Sequence, residues 1–86
     1  MVSPVLMPQI GQDIPTGTIQ KWLVKENDEV KEGDIIAEVE SEKAVFEVEA
    51  YESGVILKIL YAEGEEVEVL KPIAYIGEQG EEIPEE

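Results

Sequence analysis

A gapless internal repeat constrains this chain more than any other feature. A shift of 37 positions lays Gly17 on Gly54, Ile19 on Ile56, Lys21 on Lys58, Leu23 on Leu60 and Glu26 on Glu63. The same shift lays Glu29 on Glu66, Val30 on Val67, Ile36 on Ile73 and Ala37 on Ala74, with near matches of Asp28 to Glu65 and Val39 to Ile76. Both copies read as strand, acidic turn, short strand, turn, strand. Helical periodicity is absent and β-branched residues are frequent. One more strand precedes each copy, Val5 to Met7 for the first and Ala44 to Ala50 for the second. The pattern predicts an all-β fold, a flattened β-barrel or sandwich of two four-stranded sheets with internal pseudo-twofold symmetry.

Local signals refine this frame. The turns Glu26-Asn27-Asp28 and Glu63-Gly64-Glu65 place Asn and Gly where a positive φ is needed. The apolar phase slips between Ile19 and Trp22, and again between Ile56 and Ile59, so each copy is expected to carry a β-bulge there. Between the copies, Ile35 to Ala50 folds back on itself about Glu42-Lys43. In that register Ser41 faces Ala44, Val39 faces Phe46, Ala37 faces Val48 and Ile35 faces Ala50 on one surface. Glu40 with Val45, Glu38 with Glu47 and Ile36 with Glu49 fall on the other. A slip of one residue would turn the apolar set outward, so the register is well specified.

The hairpin leaves one nucleophile at its tip, Lys43. Exchange of the two ends by the pseudo-twofold puts the Pro8–Thr16 loop beside that tip. It puts the loop's counterpart, Tyr51-Glu52-Ser53, at the opposite end with the chain termini. The other five lysines, Lys21, Lys25, Lys31, Lys58 and Lys71, fall in strands or repeat turns and read as solvated surface. Glu38 opposite Glu47 is a like-charge pair, mildly destabilising by about 0.2–1 kcal/mol. It reads either as partner recognition or as a tolerated pair on a wet face. Trp22 is expected to pack against the sheet. Residues 1–77 form the domain, and the acidic, turn-rich segment 78–86 is expected to begin a flexible linker.

Composition excludes much chemistry. The 86 residues contain no cysteine and no histidine, so disulfides, thiolate zinc sites, a cysteine nucleophile and a Ser-His-Asp triad are ruled out. Acidic residues outnumber basic ones 21 to 6, for a formal charge of −15. Nucleic acid and anionic membranes are therefore poor partners, and a monomer is expected in solution. Glu63, Glu65 and Glu66 lack the spacing of a calcium loop and read as a solvated turn, so no metal is expected.

The chain resembles a lipoyl domain of the dihydrolipoamide acyltransferase component of a 2-oxo acid dehydrogenase complex, in the biotinyl/lipoyl attachment family. The resemblance rests on MPQIG (7–11), the run from Gly17 to Ala44, GVILKIL (54–60), EGEEVEV (63–69) and PIAYI (72–76). Its sharpest piece is Glu40-Ser41-Glu42-Lys43-Ala44. The resemblance implies that Lys43 carries lipoate in amide linkage, with Ser41, Glu42 and Ala44 as the turn flanks read by the lipoate ligase. It implies a swinging-arm carrier rather than an enzyme. The arm is reductively acylated by a thiamine-dependent 2-oxo acid decarboxylase, passes the acyl group to coenzyme A at the acyltransferase core, and is re-oxidised by dihydrolipoamide dehydrogenase. The loop residues Gln9, Gly11, Gln12 and Asp13 are the candidate contact with the decarboxylase.

Three departures stand out. Asn27 and Leu70-Lys71 occupy turns where the family often has glycine, and Glu42 replaces the usual aspartate with its charge kept. Biotin carriers share the fold but typically flank the lysine with methionines. A non-covalent lipoyl-like adaptor has no reason to keep the acidic–lysine–alanine tip. A cytoplasmic location is expected, with a mitochondrial matrix protein reading the same way.

Overall fold

A computed structural model describes residues 2–9, 11, 13–42 and 44–83. The regular elements among them are all strands: β1 (Ser3–Leu6), β2 (Thr16–Trp22), β3 (Glu29–Val30), β4 (Ile35–Glu40), β5 (Val45–Glu49), β6 (Gly54–Ile59), β7 (Glu66–Glu68) and β8 (Pro72–Gly77). They pair antiparallel in two four-stranded sheets, ordered β1-β8-β6-β3 and β5-β4-β2-β7. The sheets pack face to face as an open sandwich, not a closed barrel. Exchanging β1 with β5, β2 with β6, β3 with β7 and β4 with β8 converts one order into the other. That is the predicted pseudo-twofold. Each sheet draws strands from both halves of the chain, so neither half owns a sheet.

The core is the repeat seen from inside. Ile19 and Ile56, Val30 and Val67, Ile36 and Ile73, Ala37 and Ala74, and Val39 and Ile76 are all buried, each position with its counterpart. Ile19, Ile36, Ile56 and Ile73 have no exposed surface at all. Pro4 lies in β1, an edge strand, where a residue without an amide proton leaves no ladder position unpaired.

The halves lock where the chain crosses between sheets. Asn27 N donates to Ile56 O at 2.7 Å and Ile56 N to Asp28 O at 2.9 Å. The symmetric set is Gly64 N to Ile19 O at 2.7 Å and Ile19 N to Glu65 O at 2.9 Å. Asn27 (φ 76°) and Gly64 (φ 91°) hold the left-handed conformation expected of them. The Glu26 carboxylate accepts from Ile59 N and the Glu63 carboxylate from Trp22 N, each at 2.9 Å. Glu65 accepts from Ala62 N at 2.6 Å, and Glu66 from the Thr16 hydroxyl at 2.9 Å. Glu63, Glu65 and Glu66 are all exposed, as the solvated-turn reading expects, and the turn also uses them as acceptors. Each carboxylate terminates a backbone or side-chain donor of its own.

Both predicted bulges are present, between Ile19 and Lys21 and between Ile56 and Lys58. A further one corrects the hairpin register. Ala37–Val48, Glu38–Glu47, Val39–Phe46 and Glu40–Val45 pair as expected, but Ile35 pairs with Glu49 and the register slips between Ile35 and Ala37. Ala50 pairs instead with the preceding turn, through Gly33 N to Ala50 O and Ala50 N to Asp34 O. The physical reason is burial. An extra residue in β4 lets the consecutive Ile36 and Ala37 both reach the core, which strict alternation forbids.

At the end remote from the hairpin tip, residues 78–81 make a turn, with Glu81 N donating to Glu78 O at 3.0 Å. The Glu78 amide, 2.6 Å from the Glu81 carboxylate, holds that carboxyl below its usual range. Residues 84–86 of the segment read as a linker lie outside the described residues.

Candidate functional site

The site is built on the hairpin of β4 and β5. β4 runs inside its sheet, between β5 and β2, so one leg of the hairpin is hydrogen-bonded on both sides. Ala37, Val39 and Val48 pin it inward, the first two with no exposed surface. Beyond Glu40 and Val45 the legs are joined through Ser41 and Ala44: Ser41 N donates to Ala44 O at 2.9 Å, with the Ser41 hydroxyl on the same carbonyl at 3.4 Å. Only positions 42 and 43 remain to join the legs. Glu42 and Ala44 are exposed and Ser41 is half-buried. Lys43 itself lies outside the described residues, as does Gln12 of the loop.

Beside the hairpin lies the loop that symmetry places there. A cleft of about 560 Å³ lies there, lined by Ile14 and Pro15 of the loop, Thr18 of β2 and Glu40, Ser41 and Glu42 of the hairpin. Thr16 and Glu66 also line it and are joined by the hydrogen bond from the Thr16 hydroxyl to the Glu66 carboxylate. Asp13 (φ 72°) lines the cleft and is exposed. Gln9 is exposed and Gly11 half-buried, and neither lines the cleft. Gly11 lies against Ile14, whose Cδ1 would have to turn aside for a Cβ at position 11. Ile14 in turn packs on the core, which anchors the loop. The counterpart loop, Tyr51-Glu52-Ser53, borders Gly77 and Glu78 at the opposite end.

Two charge placements complete the surface. Glu38 does pair with Glu47, but on its other side it faces Lys21 of β2. The β2 bulge sets that contact, so the repeat alone could not locate it. Lys21, Lys25, Lys31, Lys58 and Lys71 are all exposed. Trp22 packs against the core and donates its indole N–H to Tyr61 O at 2.9 Å, so it is a structural residue. Among the described residues no three acidic side chains converge as a metal site.

Residues 3–76 match the biotin–lipoyl family model, described as "Biotin-requiring enzyme". The chain belongs to the biotin–lipoyl family. It is 48% identical over 80 residues to a dihydrolipoyllysine-residue acetyltransferase component of pyruvate dehydrogenase complex from Zymomonas mobilis, covering 92% of this chain and 18% of that one. The chain thus spans less than a fifth of this relative's length. Among solved structures it is similar to the lipoyl domain of the 2-oxoglutarate dehydrogenase complex from Azotobacter vinelandii, with TM-score 0.69 and 29% identity over 88% of this chain and 99% of that one. It is also similar to part of a Kluyveromyces lactis urea carboxylase, with TM-score 0.76 and 27% identity over 90% of this chain and 6% of that one.

Proposed function

We propose that this biotin–lipoyl family chain is a lipoyl carrier domain, with Lys43 as the residue joined to lipoate in amide linkage. The observation that carries this reading is the closed hairpin. Ser41 and Ala44 pair across a two-residue turn whose described residue, Glu42, is exposed, on strands anchored by fully buried Val39 and Ala37. Such a base suits a lysine-borne arm: the strands hold the attachment point still, and the length of lysine plus cofactor provides the reach. The exposed flanks leave room for a modifying ligase. When attached, lipoate supplies a redox-active dithiol that carries an acyl group from a thiamine-dependent 2-oxo acid decarboxylase to coenzyme A at an acyltransferase core, before re-oxidation by dihydrolipoamide dehydrogenase. The chain's own residues do not perform that chemistry. They hold the attachment point and form the surface through which partners dock.

The acidic and alanine flanks, Glu42 and Ala44, support lipoate over biotin. A biotin carrier is the second reading, favoured by the family description and by the urea carboxylase likeness. Co-expression with a lipoate ligase and lipoate separates the two. The expected result is a single lipoyl adduct by intact mass, mapped to Lys43 by peptide analysis and absent from Lys43→Arg. A biotin adduct in cells expressing a biotin ligase, or lipoylation at another lysine, would sink the assignment. The absence of cysteine supports a reducing compartment, and we place the protein in the cytoplasm, the mitochondrial matrix being the equivalent reading.

A further inference from the structure

Four strands lie at sheet edges, and β5 is the one left open. β3 has two residues, β7 has three, and β1 carries Pro4 among its four. Short strands and prolines blunt an edge against further pairing. β5 has five residues, Val45–Glu49, and no proline. Its backbone orientation is fixed at both ends. Ala44 O accepts from Ser41 N before the strand; after it, Ala50 N donates to Asp34 O and Ala50 O accepts from Gly33 N. Residues 44 and 50 therefore face the β4 side. Backbone groups alternate along an antiparallel strand, so Phe46 and Val48 face β4 as well. Val45, Glu47 and Glu49 turn their amides and carbonyls to the free edge, where no strand pairs with them among the described residues. The same three side chains are exposed.

The charges beside this edge select what it accepts. Glu38 faces Lys21 on one side and Glu47 on the other, so the row across the sheet runs Lys21, Glu38, Glu47. Glu38 balances the lysine, and Glu47 meets a like charge. Glu49 adds a second exposed carboxylate two residues on. A cation beyond Glu47 would complete the row as an opposite-charge cross-strand pair. A second copy of this chain, paired antiparallel about Glu47, would instead set glutamate against glutamate, with a formal charge of −15 on each molecule. We infer that the free edge of β5 takes an added antiparallel strand from a partner protein. That strand carries lysine or arginine opposite Glu47 and Glu49 and an apolar residue opposite Val45. It lies alongside the hairpin tip, because Val45 is two positions from residue 43. The inference goes beyond the carrier reading and is the same for either group on Lys43.

The test is an NMR titration of the isotopically labelled protein with a short synthetic peptide. The peptide has threonine at every second position and, between them in order, lysine, lysine and valine. Millimolar peptide should slow solvent exchange at the Val45, Glu47 and Glu49 amides. The Phe46 and Val48 amides, already tied to β4, should not change. Glu47→Gln should melt no lower than wild type, since it removes a like-charge pair, and should bind the peptide about threefold more weakly. The peptide methylated at its lysine and valine backbone amides keeps its charge but cannot pair as a strand, and should not bind. Equal binding of the methylated peptide, or shifts away from β5, would reduce the effect to charge attraction and overturn the inference. Failure of the unmodified peptide to bind overturns it too. Protection of the same amides that grows with protein concentration, without peptide, would put a second copy on the edge and overturn it as well. None of these outcomes bears on whether Lys43 is lipoylated, so the carrier reading stands or falls separately.

Discussion

Ile36 shows how much one residue decides here. Strict alternation along β4 would send it outward opposite Glu49, yet it is fully buried, while Ile35 is half-buried and pairs with Glu49. The bulge makes a testable distinction. Ile36→Ala should destabilise the fold by about 2–5 kcal/mol, the range for truncating a buried isoleucine. Ile35→Ala should cost clearly less. Urea denaturation of the two variants checks the order, and equal or reversed losses would restore the unbulged register. The same scale explains what could be read of the site. The pairing of the hairpin was legible because the apolar residues of its two legs fall opposite one another, whereas Lys43, read as its tip, lies outside the described residues. Leu70 was legible only as a departure, in a turn where the family often has glycine. Its positive φ and its attachment to the neighbouring loop needed coordinates.

At the scale of elements, the crossing turns hold the sheets in register. Glu26 and Glu63 stand at equivalent positions, and each carboxylate accepts a backbone amide from the first strand of the other copy. In the sequence both read only as turn residues, because nothing in a linear sequence says which strand passes overhead. Replacing either with alanine should cost about 0.5–1.5 kcal/mol, the net worth of one hydrogen bond in an exposed setting. Glutamine, which keeps an acceptor oxygen, should recover most of it. Chemical denaturation of the four single variants measures this. Alanine variants as stable as wild type would show that water replaces the carboxylate without penalty.

For the whole molecule, the interleaving of strands has a consequence for folding. Because β1, β3, β6 and β8 make one sheet and β2, β4, β5 and β7 the other, each half supplies only part of either. A chain cut between Ala50 and Tyr51 should yield two fragments that are each unfolded alone, with native amide dispersion returning only on mixing. An independently folded half, seen by NMR, would contradict the interleaved order. The repeat in this protein is thus a symmetry of one domain, not a pair of domains.

The amino-acid sequence by itself determined the eight-strand pattern, the pseudo-twofold, both repeat bulges, the positive-φ turns and the location of the hairpin turn. All of these follow from apolar periodicity and backbone chemistry, which are local or repeat-related and so survive in one dimension. Only the tertiary structure decided that Ile36 turns inward, that Lys21 lies beside Glu38, that the crossing glutamates bind the opposite strand, and that a cleft opens between loop and hairpin. Those depend on which segments meet in space, and a bulge or a crossing changes that meeting without altering any local signal.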